Sequence, residues 1–267
     1  MVIGSATGVP RAYYDAFAGY LAEGGIAALR FDYRGMGGSL RGPLRACDAT
    51  MHSWGEQDLA GAVRFLRNRY DAPLLLVGHS VGGQLFGLLP DPGLLAAALT
   101  VGAQSGYWRL WSGPRQLQML LYWQLMPAVV RVAGYLPLRK LTGSGLDLPP
   151  GVALEWARWG LDPEHVRGYA FRKDGARGYS GWAGKLRAYA IADDRFAPRA
   201  AVEKLASWFE SAQRELRVVE PLSVGARGIG HFGFFQRRFR DTLWREAREW
   251  LLARAGEARP RRAASTR

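Results

Sequence analysis

Apolar residues fall into two patterns along the chain: short unbroken runs, and longer stretches in which they recur every three or four positions. The runs are residues 1–5 (MVIGS), 26–31 (IAALRF), 73–77 (PLLLV), 94–101 (LLAAALTV), 185–191 (KLRAYAI) and 214–219 (RELRVV). Bounded by glycine, proline and charged residues, they predict strands. The PLLLVGH run is too apolar to face water on either side, which predicts a central parallel strand. Between the runs lie helical patterns. One precedes Gly24-Gly25, and another carries Leu59, Ala62, Val63 and Leu66 behind Ser53-Trp54-Gly55-Glu56, which fits a capping box. A third follows Pro198, with Val202, Leu205, Ala206 and Phe209 on one face, and the last carries Phe239, Leu243, Trp244, Ala247, Trp250 and Leu251. Alternation of this kind predicts an α/β fold, a mostly parallel sheet with helices on both faces.

Residues 106–182 break the rhythm. They hold two or three helical patterns, several proline and glycine breaks and a dense set of aromatics. The expected organisation is therefore a core formed by residues 1–105 and 183–254, a helical insertion at 106–182, and a basic, unstructured tail at 255–267. Within the insertion, residues 117–138 are apolar enough to suggest a membrane span. They also carry Gln118, Gln124, Pro127 and Arg131, each unfavourable in mid-bilayer, so buried or amphipathic helices are expected instead.

Composition changes this picture little. The 267 residues are 48% hydrophobic and 22% charged, enough for one large domain with an inserted subdomain. The net charge of +13 invites a nucleic-acid partner, yet only four of the 36 basic residues are lysines and the arginines are scattered. That skew resembles a compositional bias, not a phosphate-tracking surface, and no nucleic-acid partner is expected. Cys47 is the single cysteine, so neither an intrachain disulfide nor a cysteine metal cluster can form. With no signal-peptide pattern, the expected location is cytoplasmic.

The candidate chemistry begins at Gly78-His79-Ser80-Val81-Gly82-Gly83, where a buried strand gives way to a helix. Glycines two residues either side of a serine, in that context, suit a tight turn that presents a nucleophilic hydroxyl at the sheet's carboxyl edge. The same turn aims backbone N–H groups of the helix N-terminus at developing negative charge. A serine needs a base, and there are four histidines. His79 adjoins the serine and points the wrong way, His52 precedes the capping box, and His165 lies in the insertion. His231, in GIGHFGFF after the last strand, is the expected base. Asp193 and Asp194, directly after the 185–191 run, are candidate orienting acids.

These motifs resemble the α/β-hydrolases, in the branch of the serine aminopeptidase and monoglyceride lipase-like proteins. The elbow GHSVGG, the FDYRGMGGS loop, Asp194-x-x-Ala197-Pro198 and Gly230-His231 carry the resemblance across residues 3–251. The resemblance implies a Ser80-Asp194-His231 triad, with Asp194 chosen over Asp193 by its spacing from the proline. Asp32, Arg34 and Ser39 correspond to a loop that shapes the site and are assigned no chemistry. It further implies an oxyanion hole from the backbone N–H groups of Val81 and Thr7, although Ser5-Ala6 replace the His-Gly that relatives carry there. Two antiparallel strands that ordinarily precede this point are missing, so either the start is internal to a longer reading frame or the sheet lacks that edge.

The insertion corresponds to a helical cap after the family's sixth strand, with Tyr107 and Trp108 as candidate substrate-binding residues and most other aromatics holding the cap together. An apolar acyl or aromatic ester would suit such a pocket, while Arg109 could instead meet a carboxylate. The expected function is a serine esterase working through an acyl-enzyme on a small-molecule substrate, without metal or organic cofactor. Three alternatives share the fold: an aminopeptidase or amidase, in which Glu155, Asp162 or Glu164 would meet the substrate amine; an acyltransferase; and a non-catalytic ligand-binding protein.

Overall fold

A computed structural model describes residues 1–258. Six strands form one sheet in which every pairing is parallel: β1 Val2–Gly4, β2 Leu29–Arg30, β3 Leu74–His79, β4 Leu95–Val101, β5 Lys185–Ile191 and β6 Gln213–Val219. Their order is β2-β1-β3-β4-β5-β6. Each residue of β3 is buried, as expected for a strand with neighbours on both edges and helices on both faces. The expected strand at 26–31 shrinks to the two half-buried residues of β2. Its continuation is diverted at Asp32, whose carboxylate accepts the N–H groups of Arg11 (2.7 Å) and Gly38 (3.0 Å). Side-chain capture of loop donors competes here with ladder pairing.

The helix at Met51–Ser53 begins three residues earlier than expected. Thr50 is its cap: Thr50 Oγ1 accepts from Ser53 N–H (3.2 Å) and Ser53 Oγ accepts from Thr50 N–H (3.0 Å). Ser53 thus closes the four-residue motif instead of opening it, and the chain continues as a wider, π-helical turn over Trp54–Leu59. At the other end of the chain, the last helix spans Arg245–Ala258. The first four residues of the tail expected at 255–267 are therefore helical, and the remainder lies outside the described residues.

Two apolar layers flank the sheet. On one face Phe17 and Leu21 of the helix Asp15–Glu23 pack with Phe234, Leu243, Trp244 and Leu251 of the C-terminal segment against Ile3, Leu75, Val77 and Leu99. On the other, Trp54, Leu85, Phe86 and Leu186 form one cluster with Trp123, Met126, Val152 and Trp159. Those last four lie on the helices Pro114–Ala133 and Pro150–Leu161, between β4 and β5. Most of the tryptophans are structural in this sense, and several indole N–H groups donate to backbone carbonyls across elements. Examples are Trp54 to Arg34 (3.0 Å), Trp123 to Gly106 (3.1 Å) and Trp182 to Leu95 (3.0 Å). No helix among the described residues is long and apolar enough to cross a membrane. Pro114–Ala133 contains Pro127 within it.

Close backbone approach decides how the helix after β3 is seated. A Cβ on Gly82 would lie 2.2 Å from the Gly4 carbonyl oxygen, and one on Gly78 would lie 2.5 Å from Gly83 Cα. Gly82→Ala is expected to lower the unfolding free energy by about 2–4 kcal/mol, because backbone cannot yield as a side chain can. Gly19 lies exposed in Asp15–Glu23 with nothing near its missing Cβ, and Gly19→Ala is expected to add about 0.5–1 kcal/mol. Urea unfolding of both variants beside the parent checks the contrast.

Candidate active site

Ser80 stands alone between β3 and the short helix Val81–Gln84, at φ +51° and ψ −117°. A non-glycine residue there costs about 1–3 kcal/mol and persists only when its surroundings over-determine it. They do: Ser80 N–H donates to the Val101 carbonyl (2.9 Å), while the Ser80 carbonyl accepts from Gly83 N–H (2.9 Å) and Gln84 N–H (3.2 Å). The side chain lies in a largely buried setting at the carboxyl end of the sheet.

Asp194 follows β5 and His231 lies in the helical turn Gly230–Gly233, beyond β6. The two meet directly, with His231 Nδ1 2.7 Å from Asp194 Oδ2. The other carboxylate oxygen, Oδ1, accepts the N–H groups of Phe196 (2.8 Å) and Ala197 (3.0 Å), which fixes the plane of the carboxylate. If Nδ1 carries the proton shared with Asp194, Nε2 is left as the basic nitrogen. Gly102, at φ +56°, passes so near that a Cβ there would lie 3.1 Å from both Asp194 Oδ2 and His231 Nδ1. Its neighbour Val101 is the residue that anchors Ser80. Chain segments more than a hundred residues apart thus converge on one rim, although no hydrogen bond joins Ser80 Oγ to His231 among the described residues.

The remaining histidines have other surroundings. His52 pairs with the buried Glu155 (Nδ1 to Oε2, 2.9 Å). His165 is fully buried at φ +48°, with neither ring nitrogen hydrogen-bonded among the described residues, between Gly106, Trp159 and Trp208. His79 is also fully buried, and its Nε2 lies 3.0 Å from the His231 carbonyl oxygen.

Asp193 has a role that its sequence position hid. Its carboxylate accepts the N–H groups of Ile229 (2.8 Å) and Gly230 (2.9 Å), so it grips the loop that carries His231. The family resemblance chooses Asp194 over Asp193 as the orienting acid, and nothing in the sequence signals what Asp193 holds. Of the two backbone donors, Val81 opens its helix, where an N–H has no intrahelical acceptor. In the 5–7 loop the Ala6 N–H is occupied by Tyr14 Oη (2.9 Å), whereas Thr7 N–H donates to no backbone carbonyl among the described residues.

Tyr107 and Trp108 stand half-buried at the root of the insertion, edge to face at 6.2 Å, with the Arg109 guanidinium over the Trp108 ring. The aromatic rings that flank His231 are different ones: Phe196 at 5.6 Å and Phe232 at 5.0 Å, 54% and 41% exposed. Both sit one or two residues from a triad candidate, in loops where an apolar side chain has no packing reason to be. That position was the available sequence signal.

The sequence matches the alpha/beta hydrolase family over residues 4–261, and the chain belongs to that family. Solved structures share the fold at low identity. A soluble variant of monoglyceride lipase from Saccharomyces cerevisiae is 16% identical, with a TM-score of 0.65 over 95% of this chain and 86% of that one. A thermophilic esterase from Thermogutta terrifontis is 16% identical, with a TM-score of 0.63 over 95% and 89%. A monoacylglycerol lipase from Paleococcus ferrophilus is 13% identical, with a TM-score of 0.62 over 95% and 93%. No curated protein sequence matches the chain.

Burial lowers the His165 pKa to about 3. In the unfolded chain an imidazole titrates near 6.5, so between those values the unfolded state binds a proton that the native state does not. The stability tied to this neutrality is complete above pH 6.5 and is lost as pH falls toward 3, at up to about 1.4 kcal/mol per pH unit. Urea unfolding from pH 7 to pH 4.5 is expected to show the destabilisation caused by His165→Leu shrinking, or reversing, as pH falls.

Proposed function

We propose that the chain is a serine hydrolase that cleaves carboxylic esters with an apolar acyl or aromatic part, using Ser80 as nucleophile, His231 as base and Asp194 as orienting acid. The observation that carries this reading is the 2.7 Å contact between His231 and Asp194 on the same sheet rim as a serine held at positive φ. The mechanism is two-step acyl transfer. His231 Nε2 takes the Ser80 proton as Oγ attacks the ester carbonyl carbon, and the carbonyl oxygen becomes an oxyanion facing the N–H groups of Val81 and Thr7. The intermediate collapses, the C–O bond to the alcohol breaks, and His231 gives its proton to the departing oxygen. Water, deprotonated by His231, then attacks the acyl-Ser80 ester and releases the acid. Asp194 holds the ring in the required tautomer and stabilises the imidazolium, and no metal or organic cofactor enters either step.

Residues 106–182 would act as the cap, with Tyr107 and Trp108 lining the pocket from above. Phe196 and Phe232 supply an apolar surface beside the base, suited to an acyl chain or an aromatic ring. The fold is shared with proteins described as esterases and monoacylglycerol lipases, which supports ester chemistry in preference to amide chemistry. Against an amine-recognising site, the three insertion acids considered for that role already have partners. Glu155 binds His52 and Arg158, Asp162 accepts from Glu164 N–H, and Glu164 pairs with Arg167.

Labelling with a fluorophosphonate probe is expected in the parent protein and absent in Ser80→Ala. Turnover of p-nitrophenyl esters should fall by about 10³–10⁴-fold in Asp194→Asn. The same change at Asp193, which grips only backbone, should cost about tenfold. Equal losses at the two positions would contradict the assigned roles, and labelling that persists in Ser80→Ala would identify another nucleophile.

A further inference from the structure

Tyr14 and His79 are both fully buried, and neither belongs to the proposed triad. Their polar atoms nevertheless form one unbroken line. Ala6 N–H donates to Tyr14 Oη at 2.9 Å, Tyr14 Oη lies 2.8 Å from His79 Nδ1, and His79 Nε2 lies 3.0 Å from the His231 carbonyl oxygen. A single protonation pattern satisfies every member: Tyr14 O–H donates to Nδ1, and Nε2–H donates to the carbonyl. The His231 carbonyl can only accept, so Nε2 must carry the ring proton, and Nδ1 is then free to accept from the phenol.

Each end of this line, and its middle, lies beside a candidate reacting group. Ala6 precedes Thr7, His79 precedes Ser80, and the carbonyl belongs to His231 itself. A parallel tie runs beside it, with Tyr13 O–H donating to the Phe232 carbonyl at 2.6 Å. Asp193 accepts the N–H groups of Ile229 and Gly230 in the same turn. The histidine turn is therefore held by its donors and its acceptors at once. Burial favours the neutral forms of both members, raising the Tyr14 pKa and lowering that of His79. Neither hydrogen bond then titrates away near neutral pH.

We propose that Tyr14 and His79 are positioning residues, a buried hydrogen-bonded line that sets the oxyanion loop, the serine and the histidine turn in register with one another. The proposal rests on the serine-hydrolase reading, in which those three loops must agree to within a fraction of an ångström. A misplacement of about 1 Å can cost about a hundredfold in rate. The line does not touch substrate, so its loss should appear in kcat and leave KM within about twofold.

The test combines kinetics with a measurement that needs no turnover. In ¹⁵N-detected imidazole spectra of the parent protein, His79 is expected as the neutral Nε2–H tautomer from pH 5 to pH 8. An Nδ1–H tautomer, or a protonated ring in that range, would overturn the line whether or not the protein is an esterase. Ester turnover should fall about ten- to a hundredfold in Tyr14→Phe with KM nearly unchanged, and the thermal midpoint should drop because Ala6 N–H and His79 Nδ1 lose their buried partner. His79→Gln, which keeps an N–H at the reach of Nε2, should retain about tenfold more activity than His79→Leu, and it serves should Tyr14→Phe fail to fold. The double variant Tyr14→Phe/His79→Leu should lie within about twofold of His79→Leu, since both cut the same line. Full kcat in Tyr14→Phe, or losses that multiply in the double variant, would refute the proposal. Ester turnover that survives Ser80→Ala would instead refute the functional reading, leaving the tautomer to decide the line.

Discussion

The site depends on a contact that contains almost no atoms: the meeting of Gly82 with Gly4 and of Gly78 with Gly83. Only hydrogen atoms separate these backbones, so the helix after β3 can begin one residue beyond the strand and lie directly against β1. That seat forces Ser80 into positive φ, and the strain is carried by the hydrogen bonds to Val101, Gly83 and Gln84. Had either glycine a side chain, the helix would move outward, the serine could relax, and the hydroxyl would leave the rim where Asp194 and His231 meet. Packing of the apolar layers fixes the sheet, but this glycine contact fixes where Ser80 stands.

Long-range organisation was largely legible in the sequence because its signals are additive. The apolar run ending at His79 is a central strand, and the runs at 94–101, 185–191 and 214–219 each contain a strand of the sheet. The errors are local. At 26–31 the hydrophobic run was long enough for a full strand, yet Asp32 reaches back to Arg11 and Gly38 and ends the pairing after two residues. At 50–56 two serine/threonine caps competed. The sequence pattern favoured the one with a glutamate three residues on, whereas Thr50 and Ser53 satisfy each other's backbone. Both are decided by where one polar side chain finds a donor, which spacing does not encode.

The same division holds at the site. Ser80, Asp194 and His231 stand out because the chemistry proposed for them requires rare residues in rare contexts. The groups that hold them do not. Asp193 was passed over for its neighbour, His79 was set aside because it points the wrong way, and Tyr14 was one aromatic among many on a helix. Each works through backbone atoms of a distant loop, and backbone atoms leave no trace in a sequence. Phe196 and Phe232 fall between these cases, since their exposure beside His231 is a property of the folded loops alone.

The helices between β4 and β5 share their buried cluster with the sheet, so Trp123 and Trp159 on one side and Trp54 and Phe86 on the other occupy one continuous apolar volume. Swinging those helices away as a rigid flap would expose that whole volume to water at about 25 cal/mol for each Å². Heat should therefore dissolve both regions in a single calorimetric transition. In the proposed hydrolase a substrate would therefore reach Ser80 by small side-chain excursions beside the exposed Phe196 and Phe232, and not through a hinged door.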